Sequence, residues 1–290
     1  MTTLTPSRPE SDAPAVVVTP MPRPRRKLGR WILFVVMVGV AIVMLYPFGV
    51  MIVTSLKSEA QFLNGSGFSW LSWKTLSATI PVGQEVVSST VVCSVSIFVI
   101  LLVGLPAGFA FSKLRFRAST TVFLVIVSAM MVPLQAILMP EFVNVTKLGL
   151  TGGYFGAILV YAALGTPFSV FLFTTYFRSV PDELIEAGVV DGLGYTGVLW
   201  RLVVPIAVPA LATVTVLQFI QIWDDLLVGL LFIQNPSERP ITVGLAVLAA
   251  GRTTSIPALM AGSLVSALPA MAVYLGFQRY LVRGLTMGID

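Results

Sequence analysis

The chain has 290 residues, 56% of them hydrophobic and only 11% charged. A water-soluble domain of this size has no use for so much apolar surface, and apolar runs of spanning length recur, so an all-α polytopic membrane protein is expected. One cysteine and no histidine exclude an internal disulfide, a cysteine-type zinc site and the commonest general base, and the net charge of +5 sits beside apolar runs rather than in a nucleic-acid patch.

Residues 1–30 are rich in Pro, Ser and Thr and then basic, with Arg23, Arg25, Arg26, Lys27 and Arg30. A disordered cytoplasmic tail ending in a membrane-proximal cationic cluster is expected. The apolar run that follows is too long for a signal peptide and is read as a retained first span. Six transmembrane helices are expected within a permease domain over 31–283. They run from about Trp31 to Ser55, Val86 to Ser112, Thr121 to Met139, Tyr154 to Phe177, Ile206 to Ile233 and Pro257 to Phe277. Gly104, Pro106, Gly108, Pro133, Pro140, Pro167 and Pro269 mark kinks or close packing contacts. Residues 234–255 form a linker, and 284–290 a short cytoplasmic tail. With the N-terminus in the cytoplasm, thirteen of the 18 Lys and Arg lie on that side, which places both termini there.

Between the fourth and fifth spans lies a polar stretch, 179–205, with four acids and no base before Arg201. Ser179 and Asp182 give an N-cap signal, Pro181 suits a first turn, and early acids complement the helix dipole. Leu184, Ala187, Gly188 and Asp191 fall at helical spacing and make one narrow face. Gly192 and Gly194 then end the helix. A surface-lying helix on an anionic leaflet would be basic, so an acidic one points to a protein partner with a basic groove.

In the fifth span, Gln218, Gln221 and Asp225 share a helical face, with Asp224 to one side. Such a stripe suits a path for a hydroxyl-bearing solute; it equally suits a polar seam to a neighbouring span. No phosphate-binding GxxxxGK[ST] loop and no GxSxG elbow occurs, so no catalytic residue and no metal ligand is assigned.

The run from Glu183 through Glu186, Ala187, Gly188, Asp191 and Gly192 to Pro205 resembles the EAA loop of ABC importer permeases. With Thr54–Lys57, Lys113–Arg117, Met131–Pro133, Trp223–Asp225 and Gln278–Thr286 in the same order, the chain resembles MalG-type permease subunits of bacterial carbohydrate importers. It departs from them at Gly188, where the family usually has alanine, and at Asp224, where it often has asparagine.

The resemblance implies a non-catalytic, multi-pass subunit of the bacterial inner membrane, forming half of a path for a carbohydrate or similar polyhydroxy solute. It implies a second MalF-like permease, two ATPase subunits carrying ATP and Mg, an external or lipid-anchored substrate-binding protein, and surrounding membrane lipids. It further implies that residues 179–205 are a cytoplasmic coupling helix and loop. There Glu183 belongs to the coupling face, Glu186 pairs with a basic residue of the ATPase cleft, Ala187 and Gly188 allow close approach, Asp191 caps or braces the loop, Gly192 turns it, and Pro205 is the last residue of the motif. The rival readings are a proton-coupled secondary transporter using Asp224 and Asp225, and a membrane enzyme or receptor.

Overall fold

The computed structural model describes residues 27–251 and 255–286. It divides into two units, Met1–Pro47 and Phe48–Asp290. The tail expected over residues 1–30 lies outside the described residues as far as 26, as do 287–290 of the C-terminal tail and 252–254 of the linker.

Among the described residues the regular elements are all helices. Four of them are long and apolar enough to cross a membrane, and up to six spans result if each of two bent pairs counts as one. The first span is α1 (Lys27–Ser55). Two short helices, α2 (Glu59–Asn64) and α3 (Leu71–Thr79), lead to α4 (Val82–Lys113), the second span. The fourth is α7 (Tyr154–Arg178) and the last is α14 (Ile256–Thr286). These runs were legible because nothing in them forces the helix to stop; the prolines inside α1, α4, α7 and α14 do not end them.

The third and fifth spans depart from the continuous helices expected over 121–139 and 206–233. The third is α5 (Ser119–Ser128) with a 3-10 turn at Ala129–Met131, then α6 (Leu134–Lys147), and the two halves bend by 103°. Pro133 supplies the cause: it has no N–H and drives the residue before it into extended backbone, as seen at Val132 with φ −83 and ψ 119. In the fifth, α8 (Asp182–Val190), α9 (Tyr195–Val198), a π turn (Leu199–Val203) and α10 (Val204–Ile206) precede α11 (Val208–Asp224). The segment Tyr195–Ile206 meets α11 at 79°. α11 stops at Asp224, and α12 (Leu227–Phe232) follows after a break. The linker over 234–255 is also more structured than expected, since it contains α13 (Ile241–Ala249) with a buried face.

α4 and α7 form the central seam. Lipid is as apolar as leucine, so helices in a membrane adhere through close packing rather than hydrophobic exclusion. Gly104 and Gly108 supply a small-xxx-small ridge here. A Cβ on Gly104 would lie 2.9 Å from Ser169 Cβ, and one on Gly108 would lie 2.5 Å from Phe173 Cβ. Phe173 and Phe177 stack beside this ridge with centroids 5.7 Å apart. α11 joins α14 through Trp223, whose indole Nε1 donates to the Ser266 carbonyl at 2.9 Å. α13 is tied to α4 where the Ile241 N–H donates to Ser89 Oγ at 2.9 Å.

Candidate functional site

The acidic loop begins where α7 ends. The Ser179 hydroxyl donates back to the Tyr176 carbonyl at 2.7 Å, so it closes α7. It does not cap α8 as the sequence pattern suggested. Pro181 takes the cap position with no side-chain bond, so the helix starts two residues later than expected. Asp182 and Glu183 then occupy the first turn, where carboxylates favour the positive end of the helix.

Lys113, at the end of α4, fastens this turn. Its Nζ donates to Asp182 Oδ1 at 2.5 Å and to the Val180 carbonyl at 2.5 Å. The lysine is almost fully buried and the aspartate exposed. The Lys113 hydrogen bond, then its charge, hold the Asp182 carboxyl below its usual range, with Arg115 helping. A lowered pKa makes this contact a contributor to loop order above the ordinary aspartate range, lost as acid titrates the carboxylate. Lys113→Met is therefore expected to quicken amide exchange over residues 179–184 about tenfold at neutral pH, mainly through the lost bond to Val180. Only the smaller share carried by the Asp182 contact should disappear below about pH 4, so most of the difference from wild type persists in acid. Exchange mass spectrometry at both pH values checks this.

α8 buries Ile185 and Gly188 and leaves Leu184 half-buried. The narrow face expected from Leu184, Ala187, Gly188 and Asp191 is thus divided. Gly188 serves a close approach inside the chain: a Cβ there would meet Leu202 Cδ1 at 2.7 Å and Val198 Cγ2 at 3.1 Å. The outward stripe is instead Glu183, Glu186, Ala187 and Val190, at i, i+3, i+4 and i+7. Val190 is 85% exposed, so two carboxylates, a small residue and an apolar tip face outward together.

The helix ends in a Schellman motif. The Leu193 N–H donates to the Gly188 carbonyl at 3.0 Å, the Gly192 N–H donates to Val189 at 3.0 Å, and Gly192 adopts φ 85. Asp191 is the exposed C-cap residue, and Gly194, at φ −68, opens α9. Gly192→Ala is expected to cost about 1–2 kcal/mol because of its left-handed backbone. In Gly188→Ala the methyl meets mainly the movable end of Leu202, and the gain in helix propensity offsets it, for a net change within about 0.5 kcal/mol. Thermal unfolding of the two variants side by side measures the contrast.

Pro205 closes the loop. It has no N–H to offer the carbonyl four residues earlier, and the chain ahead of it widens into the π turn. The Tyr176 hydroxyl donates to the Ile206 carbonyl at 3.1 Å, tying this bend to the end of α7.

The stripe expected from Gln218, Gln221 and Asp225 is not formed. Gln218 is 2% exposed, and its Nε2 donates to the Gly165 carbonyl of α7 at 3.3 Å. Asp225 lies beyond the helix with extended backbone. Its Oδ2 accepts from the Tyr161 hydroxyl at 2.9 Å and the Val228 N–H at 2.8 Å, and its carbonyl accepts from Thr242 at 3.1 Å. Gln218 and Asp225 therefore join elements of this subunit, whereas Gln221 and Asp224 are exposed.

Two features escaped the sequence reading. A cavity of about 200 Å³ opens where the third span breaks, lined by Val132, Leu138, Val160, Leu164, Pro167 and the carboxylate-bearing Glu141. Glu85, in the first turn of α4, is 1% exposed and lies directly over Gly244 of α13. Neither could be found without knowing which distant segments meet.

Comparison with known proteins agrees with this architecture. Residues 100–287 match the family model described as binding-protein-dependent transport system inner membrane component. The osmoprotective compounds uptake permease protein GgtD of Synechocystis is 32% identical over 207 residues, covering 71% of this chain and 70% of that protein. The melibiose/raffinose/stachyose import permease protein MelC of Bacillus subtilis is 24% identical over 247 residues, covering 83% and 90%. The fold matches the crystal structure of a bacterial ABC transporter involved in the import of the acidic polysaccharide alginate, with a TM-score of 0.76 at 22% identity, over 90% of this chain and 99% of that one. The chain belongs to the family of inner-membrane components of binding-protein-dependent transport systems, and is a multi-pass ABC importer permease subunit.

Proposed function

We propose that this subunit forms half of the translocation path of an ATP-driven importer for a carbohydrate or similar polyhydroxy solute, and that α8 is the element its ATPase partner grips. The observation that carries the docking reading is the outward stripe Glu183–Glu186–Ala187–Val190 on a helix fastened at both ends. Lys113 holds its start, and the Schellman turn at Gly192 holds its end. A braced helix transmits a push, whereas a frayed one absorbs it. In this reading Glu183 and Glu186 pair with basic groups of the cleft, Ala187 and Val190 seat in it, and Gly188, Asp191, Gly192 and Pro205 shape the loop. The α8 side is cytoplasmic, as are both termini.

The solute class is supported by relatives named for uptake of osmoprotective compounds and for melibiose, raffinose and stachyose. Gln221 and Asp224 are the exposed polar groups of α11 that could meet it, with Gln218 and Asp225 holding that helix in place. The partners are a second MalF-like permease, two ATPase subunits that bind ATP and Mg, and an external substrate-binding protein. A proton relay through Asp224 and Asp225 finds no support in the geometry, because Asp225 is turned to Tyr161 and the Val228 N–H while Asp224 is exposed.

The test is uptake into proteoliposomes carrying the whole assembly. Uptake should require ATP on the α8 side and the binding protein on the other, and should survive an uncoupler. Uptake without the ATPase, or abolished by the uncoupler, overturns the reading. A binding screen of sugars, polyols and their glycosides on the binding protein assigns the solute.

A further inference from the structure

The segment that runs from α2 into α3 carries an apolar ridge that is left exposed among the described residues. Leu63, Phe68, Trp70 and Leu71 are all well exposed, Trp70 by 58%. The Phe68 and Trp70 rings meet edge to face with centroids 5.7 Å apart and form its aromatic centre.

Its depth follows from the contacts beneath it. The Ser69 N–H donates to the Leu56 carbonyl at 2.8 Å, and the Ser72 hydroxyl donates to the carbonyl of Ser55, the last residue of α1. The Ser255 hydroxyl donates to Glu59 at 2.8 Å, which ties α2 to the start of α14. Leu76 of α3 lies 3.1 Å from where a Cβ on Gly262 would stand, six residues into α14. At 1.5 Å per residue that is about 9 Å past the start of that helix. α3 therefore lies alongside the ends of the spans and not beyond them. The face concerned is opposite the α8 loop, because α4 starts on it and ends at Lys113, the residue bonded to Asp182.

Residues at this depth meet the boundary between lipid headgroups and acyl chains, the zone that amphipathic tryptophan rings favour. The apolar side chains Phe48, Val50, Ile52 and Val53 in the last turns of α1 are exposed too. Lys74, also exposed, gives a cation for headgroup phosphates. We propose that the Leu63–Phe68–Trp70–Leu71 ridge is a lipid-seated anchor at the membrane face opposite α8, with the phospholipid interface as its partner. The inference rests on membrane insertion and not on ATPase docking, so either can fail alone.

The purified transporter complex is placed in nanodiscs of phosphatidylcholine with or without bromine on the upper acyl carbons. The fluorescence difference between wild type and Trp70→Phe isolates Trp70. That difference should fall severalfold with bromolipid, more with shallow than with chain-terminal bromine, and should be little affected by acrylamide. Phe68→Trp adds a reporter to the same ridge and gives the same reading should Trp70→Phe reduce yield. Three results overturn the proposal. They are a signal blind to bromolipid but quenched by acrylamide, one blind to both, or one protected from acrylamide only when the external binding protein is added.

Discussion

Replacing Gly108 by valine is expected to remove most of the folded protein from the membrane. A Cβ at this position would stand 2.5 Å from Phe173 Cβ, 3.1 Å from the Thr174 backbone nitrogen and 3.2 Å from the Phe173 carbonyl carbon. Side-chain rotation cannot relieve contacts to a facing backbone, so α4 and α7 must part. Overpacking of a tight interface costs about 1–3 kcal/mol for a small intrusion, and a β-branched side chain against backbone belongs at or above the top of that range. That is a large share of a stability of about 5–15 kcal/mol. Gly83→Val on the same helix is the control, since nothing stands within 4 Å of its Cβ position. Membrane abundance and the melting temperature in detergent should drop for the first variant and stay near wild type for the second.

The double replacement Glu183→Lys, Glu186→Lys is expected to leave the fold and remove the work. Both side chains are exposed on α8; replacing Glu186 should change stability by only about 0.5 kcal/mol, and losing the Glu183 carboxylate from the first turn adds about 0.3–1 kcal/mol. If a basic cleft receives this face, reversing both charges replaces two attractions by two repulsions, and like charges set against each other cost several kcal/mol. ATP-driven uptake should fall by about a hundredfold or more. ATPase subunits should no longer co-purify, while the melting temperature of the permease is retained. The inward-facing Ile185→Lys should behave in the opposite order, losing the folded loop first, because Ile185 is buried.

The unbroken spans could be read from the sequence because length and apolarity suffice to define them, and the end of α8 could be read because Gly192 is the residue type that a left-handed turn demands. The start of α8 was less legible. Ser179 can bond backward to α7 or forward to α8, and local pattern does not decide between them. The outward face of α8 was displaced by one residue, because which side is buried depends on Val198 and Leu202, contributed by the second half of the loop. Pro133 was visible as a breaker, but the 103° turn it permits depends on what α6 finds to pack against. In the fifth span, helical spacing put Asp225 on a face with Gln218. The helix ends one residue too soon for that, with the carboxylate drawn off to Tyr161 and Val228. In each case the missing information was tertiary.

Site-specific photocrosslinking in intact membranes puts the least between the claim and its answer. A benzophenone amino acid is placed at Ala187, and separately at Gly83 near the opposite end of α4. An adduct between position 187 and the ATPase subunit, strengthened by non-hydrolysable ATP and absent from position 83, is the predicted result. A functional transporter that gives no ATPase adduct at position 187 would contradict the account.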